Sequence, residues 1–471
     1  PFAVPGRTIS KRKSRRTAPA VNIQLSMPFA GPVTAGKGID FGPERLSILF
    51  LTLSPVNGRG DRSKGFAAIT INLLRDFMRP IEIADGIYDV GVKDWNIRDF
   101  HGYSTHQGTT YNAFLVMDEK IALIDTVKKE FADQMLDNIA QIVDPQKIDL
   151  VVSNHTEMDH SGGLPRLMHR IGEDKPLYCS KMGAKNLQQH FFPNWNYHPV
   201  DDGEDLNLGR RTLSFLETRM LHWPDSMFTY LKEDKILFSS DAFGQHYAGP
   251  EKFDDEIGDR IMPHAKKYYA NILLLYSAKT LKLLKKITGL GLKLNMICPD
   301  HGVLWRRDVD KIIDAYLRWS EQATANKALV IYDTMWHSTQ QMAESIVAGL
   351  ADSGVYAVPM DLRRSDRSDI MTEVLDARAL VIGSPTLNNQ VFPTVSDFLT
   401  YMKGLKPKNR IGAAFGSYGW SGEAVRHITD ELKGMKFDVV EPGLRVQYVP
   451  DAEGLAACEA FGRQIAEAMN A

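Results

Sequence analysis

Between Asn154 and Gly163 the chain reads NHTEMDHSGG, so four potential metal ligands, His155, Glu157, Asp159 and His160, fall within six residues. The run IDLVV at 148–152 that precedes them has the character of a buried strand. Strand alternation predicts His155, Glu157 and Asp159 on one side of the turn and His160 across from them, with Gly162 and Gly163 releasing the chain. Three further candidates stand in separate stretches: His222 in MLHWPD, Asp241 in LFSSD and His301 in CPDHG. Four imidazoles and three carboxylates without a thiolate favour harder, redox-capable ions such as iron or manganese. Seven groups are too many for one ion that keeps an open position. Two adjacent ions are therefore expected, with Asp241, the lone carboxylate between histidine-bearing segments, as their bridge.

A second set of groups has a different chemistry. After Asp333 the loop Thr334, Met335, Trp336, His337, Ser338, Thr339 offers three hydroxyls and backbone N–H groups where a helix starts, a nest suited to phosphate. The chain has no GxGxxG or GxxxxGK[ST] there, which favours a mononucleotide over a dinucleotide or nucleoside triphosphate. Two more loops, one with Pro385, Thr386, Leu387, Asn388 and Asn389, the other with Ser417, Tyr418, Gly419, Trp420 and Gly422, add aromatic rings and backbone dipoles. Together the three loops suit a planar ring with a polar edge and a phosphate tail, and flavin mononucleotide (FMN) fits that description.

The elements that must carry these groups are legible in part. Short strands are expected at 86–92, 111–116 and 121–125, then a helix over 129–142 with Phe131, Met135, Ile139 and Ile142 on one face. Further strands are expected at 211–216, 227–231, 236–240 and 294–298, so that one edge of a sheet sandwich gathers all seven metal candidates. A second domain is expected from about Asn326. There a continuous apolar run, ALVIYD at 328–333, is followed by a loop and a helix through Met342, Ile346 and Leu350. Strands at 356–362, 379–382 and 411–415 alternate with helical stretches, and a last helix spans 452–469, the order of a doubly wound parallel sheet.

Size and composition set the frame. A chain of 471 residues exceeds one ordinary core, and its 44% hydrophobic and 24% charged content is that of a globular protein. With 56 basic and 58 acidic residues there is no global charge signature for nucleic acid, and no apolar run reaches membrane-spanning length. The three cysteines, Cys179, Cys298 and Cys458, are far apart and form no CxxC pair. That suggests a reducing, cytoplasmic setting and excludes a four-cysteine iron site. Residues 1–77 differ from the rest: they carry KRKSRR at 11–16, many Pro, Gly and Ser residues and no sustained period. They are expected to form a disordered extension outside the fold.

On these motifs, residues 80–471 resemble the flavodiiron proteins of the rubredoxin:oxygen oxidoreductase type. In that family a metallo-β-lactamase-like αββα sandwich precedes a flavodoxin-like doubly wound sheet. The matching stretches are HxExDH at 155–160, MLHWPDS around His222, SSDAFG around Asp241, CPDHG around His301, and the loops YDTMWHST, GSPTLNN and FGSYGWSG. Zinc hydrolases of the same fold carry HxHxDH, and Glu157 departs from them towards the iron family. The resemblance implies domains at 78–325 and 326–471. It implies one iron on His155, Glu157 and His222, a second on Asp159, His160 and His301, Asp241 between them, and His101 near the iron pocket. It further implies reduction of dioxygen to water, of nitric oxide to nitrous oxide, or both, with electrons reaching the irons through FMN. Because the chain ends close after its last helix, the donor is expected to be a separate rubredoxin. A head-to-tail homodimer, or a dimer of dimers, is expected to set the flavin of one subunit against the irons of the next. Two other readings compete: a zinc hydrolase with an attached flavodoxin module, and an electron-transfer flavoprotein with a vestigial metal site.

Overall fold

Strands that are buried on both faces are mostly apolar, and the chain supplies many of them. LVVS at Leu150–Ser153, MFTYL at Met227–Leu231 and ILF at Ile236–Phe238 expose no residue to solvent. The computed structural model describes residues 79–471, which belong to one compact unit. The extension expected at 1–77 lies outside the described residues.

Two mixed sheets form the first half. One runs in the order Ile81–Ala84, Ile87–Asp89, Phe114–Val116, Ala122–Ile124, Leu150–Ser153, Leu177–Ser180, Tyr197–Val200. The other runs Asp205–Asn207, Thr212–Glu217, Met227–Leu231, Ile236–Phe238, Met296–Cys298. Phe114, Ile124 and Val152 of the first sheet meet Leu213, Phe215 and Phe238 of the second in one apolar layer. Helices Ala132–Ala140, Leu164–Ile171 and Lys181–Phe191 cover the far face of the first sheet through Met135, Leu167 and Leu187. Ser277–Gly289 and Val309–Ser320 cover the far face of the second through Leu284 and Ile312. The layers are therefore helix, sheet, sheet, helix.

The second half is a five-stranded, all-parallel sheet in the order Tyr356–Asp361, Ala325–Tyr332, Ala377–Gly383, Ile411–Tyr418, Asp438–Gln447. Numbered along the chain this order is 2-1-3-4-5, the flavodoxin arrangement, whose ligand crevice lies at the carboxyl ends beside the first strand. Helices Ser338–Asp352 and Ala452–Asn470 pack on one face, and Arg367–Val374, Pro393–Leu405 and Ala424–Gly434 on the other. That second face shares a continuous apolar cluster with the first half, from Leu237 and Tyr316 to Leu380 and Phe398. No helix among the described residues is long and apolar enough to cross a membrane.

Several local expectations differ from what forms. The stretch 86–92 divides at Val90 and Gly91 into Ile87–Asp89 and Val92–Asp94, which enter different sheets, and 111–116 divides at Asn112 and Ala113 in the same way. The segment 301–326, for which no element is expected above, contains the helix Val309–Ser320, whose Val309, Ile312, Ala315 and Tyr316 are buried at helical spacing. The edge strand Asp438–Gln447 went unread because Pro442 and Gly443 interrupt it and half-exposed positions blur its alternation.

Candidate metal centre and flavin loops

The HxExDH stretch is not a continued strand. Leu150–Ser153 ends before it, His155 and Glu157 lie in the following loop, and a short helix, Met158–Ser161, takes Asp159 and His160. Strand alternation therefore lapses, and the four groups divide two and two rather than three and one. His222 comes from the loop between Thr212–Glu217 and Met227–Leu231, while Asp241 and His301 follow the adjacent parallel strands Ile236–Phe238 and Met296–Cys298. All seven groups converge at one edge of the sandwich.

They converge as two trios about one carboxylate. Glu157 Oε2 lies 3.8 Å from His155 Nε2 and 3.1 Å from His222 Nε2. Asp159 Oδ2 lies 3.1 Å from His160 Nε2 and 3.2 Å from His301 Nε2. Between them, Asp241 turns Oδ2 to His155 and His222, at 3.6 and 2.5 Å, and Oδ1 to His160 and His301, at 3.4 and 3.6 Å. His160 Nε2 and His301 Nε2 are 3.0 Å apart. Two imidazoles at right angles on one ion, each about 2.1 Å from it, would be about 3.0 Å apart. His155 Nε2, both oxygens of Asp159 and Asp241 Oδ1 are buried and make no well-directed hydrogen bond. Such orphaned polar atoms call for a cation, and the donor set fits a pair of them.

The surroundings orient the rings. His301 Nδ1 donates to the Thr110 carbonyl at 2.6 Å, which leaves its Nε2 lone pair facing inward. Ser240 Oγ lies 3.0 Å from His155 Nδ1. Asp300 Oδ2 is 3.7 Å from His155 Nδ1 and 3.9 Å from His160 Nδ1. Burial pushes the Asp300 carboxyl well above the usual carboxylate range, and Asp125 pushes it the same way. Burial lowers the His155 and His222 imidazoles, but the carboxylates beside them, Asp241 at both and Glu157 at His222, together outweigh it, and they are raised to about 9 and about 10. Asp241 itself, although burial opposes it, is held well below its ordinary range by the neighbouring imidazoles, His155 foremost.

A cavity of 280 Å³ opens onto Glu157, His222, Asp241 and His301, walled by Phe100, Tyr103, Tyr268, Ile272 and Leu275. His101 is on its lining, at the exposed tip of a hairpin with φ 56°. Three buried neighbours were not picked out from the sequence. Asp300 stands directly before His301 in CPDHG, which was a signal. His246 packs its ring 4.7 Å from that of His301 and is five residues past Asp241. Tyr268 precedes a π-helical turn, Tyr269–Leu273, and nothing in its local pattern marks it.

In the second half, the loops read as flavin-binding follow the first, third and fourth strands of the sheet. Thr334, Met335, Trp336 and His337 join Ala325–Tyr332 to the helix Ser338–Asp352, which starts after His337 at φ 67°. Thr339 Oγ1 lies 2.8 Å from Ser417 Oγ, and Thr386 N–H donates to the Ser417 carbonyl at 3.0 Å, so the loops are tied to one another. Pro385, Leu387, Asn388 and Asn389 share the second loop, while Tyr418 ends the fourth strand and Gly419, Trp420 and Gly422 follow it in the third. The Thr334 hydroxyl is buried and makes no hydrogen bond, as a phosphate partner would require. Trp336 and Trp420 are 86% and 83% exposed at the rim, where a planar ring can stack. The crevice fits FMN.

Comparison with known proteins agrees with this geometry. Residues 109–302 match the family model of ODP family beta lactamases and residues 330–462 that of flavodoxins. A nitric oxide reductase of Moorella thermoacetica is 46% identical over 82% of this chain and 98% of that protein. A rubredoxin-oxygen oxidoreductase of Megalodesulfovibrio gigas is 43% identical over 84% of this chain and 99% of that protein. The chain belongs to the flavodiiron protein family. Solved structures agree with that assignment. The Desulfovibrio gigas rubredoxin oxygen:oxidoreductase superposes with a TM-score of 0.81 at 42% identity, covering 83% of this chain and 99% of that one. The Giardia intestinalis flavodiiron protein does so at 0.80 and 36%, covering 83% and 97%. As a flavodiiron protein the chain is an oxidoreductase with FMN and a diiron centre as its cofactors, and the hydrolase reading falls away.

Proposed function

We infer that this flavodiiron protein reduces dioxygen to water, and that His155, Glu157 and His222 hold one iron, Asp159, His160 and His301 the other, with Asp241 shared. The observation that carries the assignment is Asp241, with one carboxylate oxygen facing each trio. When bound, the iron pair would supply electrons to a gas held beside it, and FMN would replenish them.

The chain's own residues serve that reaction in three ways. Asp241 balances charge on both sides of the centre. Phe100, Ile272 and Leu275 give the cavity an apolar wall beside the metal candidates, suited to a small neutral gas, and His101 also lies on its lining. Burial raises Tyr268 well above the ordinary tyrosine range, so its hydroxyl keeps its proton and stands on the cavity wall as a donor without a partner. Nitric oxide is the second reading, favoured by the relative called a nitric oxide reductase.

Among the described residues, the cavity is lined from the flavodoxin-like half only by Tyr401 and Leu405, and by none of the three flavin loops. This supports delivery of electrons between subunits of a head-to-tail homodimer, in which a two-fold interface repeats itself and closes. The domain division at 325/326 is supported by the strand that begins at Ala325. A rubredoxin-type donor is supported by the names of relatives, and a cytoplasmic location by three buried free cysteines.

The test is steady-state turnover of the metal-loaded, flavin-loaded protein with each gas under reduced rubredoxin. Faster consumption of dioxygen is expected. Nitric oxide turnover far above it would exchange the two readings, and no consumption of either gas would remove both.

A further inference from the structure

The wall of the metal cavity is built by both halves of the chain. His101 sits at the turn of the hairpin formed by Asp99–Phe100 and Tyr103–Ser104, and the next residue, Gly102, has φ 83°. A Cβ on Gly102 would lie 2.4 Å from Arg367 Nη2, so the guanidinium rests directly on the bare backbone of the turn. Arg367 opens a helix of the flavodoxin-like half. Its Nη1 donates to both carboxylate oxygens of Asp397 at 2.8 and 2.9 Å, and the guanidinium lies 5.2 Å from the centre of the Tyr401 ring. Tyr401 is itself on the cavity wall.

The neighbouring residue extends the grip. Ser368 Oγ accepts from the Ser104 N–H at 3.0 Å, and its carbonyl accepts from Asn271 Nδ2 at 3.0 Å. Asn271 also lines the cavity and accepts from the Tyr401 hydroxyl at 2.9 Å. One helix start thus contacts both the hairpin and a second stretch of the cavity lining. A planar fork anchored on a carboxylate and an aromatic face holds a fixed orientation that a flexible ammonium does not.

We propose that Arg367 is a positioning residue for the His101 turn: pinned by Asp397 and Tyr401 and laid against Gly102, it sets how far the turn stands over the metal cavity. It thereby sets the width of the passage for a small neutral gas, a role that rests on the gas-reducing reading above. The ion pair is partly exposed, with side chains 34% and 55% accessible. Its loss should therefore leave global stability nearly intact.

The test compares Arg367→Met, Arg367→Lys and Asp397→Asn with the parent holoprotein, each confirmed to hold flavin and iron. Amide hydrogen exchange over residues 98–105 should quicken by about tenfold in Arg367→Met and by less in Arg367→Lys. The KM for the gas should shift by about threefold or more while kcat stays within about twofold. Should Arg367→Met fail to fold, Asp397→Asn decides the matter, since it frees the fork without removing it. Parent-like exchange and parent-like KM in a folded variant would overturn the proposal. Faster exchange with an unchanged KM would overturn its link to the passage. If the parent consumes neither gas, the functional reading fails, while exchange still reports on the turn.

Discussion

Replacing Asp241 by Asn keeps the side chain's shape while removing its charge and turning one oxygen into an amide nitrogen that cannot ligate. In the native site the two oxygens reach different trios, with contacts of 2.5 to 3.6 Å to four imidazole nitrogens. On the proposed assignment a single carboxylate would serve both ions. Two unit charges about 4 Å apart, at an effective dielectric near 20, interact by about 4 kcal/mol, a lower bound for a carboxylate beside a divalent ion. With some relief from solvent and from the six remaining groups, we take about 3 kcal/mol for each ion, which corresponds to roughly a hundredfold or more in each dissociation constant. Glu157→Gln is the control, because Glu157 approaches only His155 and His222. The assay is competition with a graded series of chelators, followed by metal analysis of the gel-filtered protein. Asp241→Asn should release both ions at chelator strengths the parent resists, Glu157→Gln should release one, and both should retain FMN. Loss of a single ion from Asp241→Asn, or parent-like retention of two, would refute the shared-ligand reasoning.

Asp300→Asn should weaken metal retention by about 10- to 100-fold without removing a ligand, because Asp300 lies behind the rings of His155 and His160; the same chelator series measures it. In the metal-stripped protein, His155 and His222 titrate near 9 and 10, above their ordinary value near 6.5. Their contribution to stability is complete below about pH 6.5 and is lost as the pH rises through those values, so the stripped protein's Tm should fall between pH 6.5 and 10. A Tm that stays flat or rises across that window would contradict the assigned contacts. Mixing a metal-dead chain, His155→Asn with Asp241→Asn, and a flavin-dead chain altered at Ser338 and Thr339 should restore activity if electrons cross between subunits. Random mixing makes about half the dimers mixed, each with one intact pairing of flavin and metal, so about a quarter of parental activity is expected. None should return if transfer stays within a chain.

The seven candidate groups stood out because they lie in short stretches just past buried strands, and strands such as Leu150–Ser153 and Ile236–Phe238 announce themselves by mostly apolar runs. How the groups divide was not legible from alternation. Strand periodicity stops at Ser153, and the helix Met158–Ser161 redirects Asp159 and His160 together, which set Asp159 apart from His155 and Glu157. The supporting shell was harder still. His246 stands only five residues past Asp241 and Tyr268 lies further along the chain, but both line the cavity and neither has a local pattern distinct from core packing. Arg367 depends on a contact between halves, with Gly102, that no sequence period encodes. In the second half, the doubly wound order was readable from its apolar strands. Its edge strand Asp438–Gln447 was not, because half-exposed residues and an internal Pro and Gly erase the alternation that marks a strand.

The central claim, two irons on the seven groups and FMN in the three loops, is tested most directly by metal analysis together with the visible spectrum of the purified protein. About two irons and one flavin per chain are predicted. A preparation carrying mostly zinc, with no flavin absorption, would contradict the account.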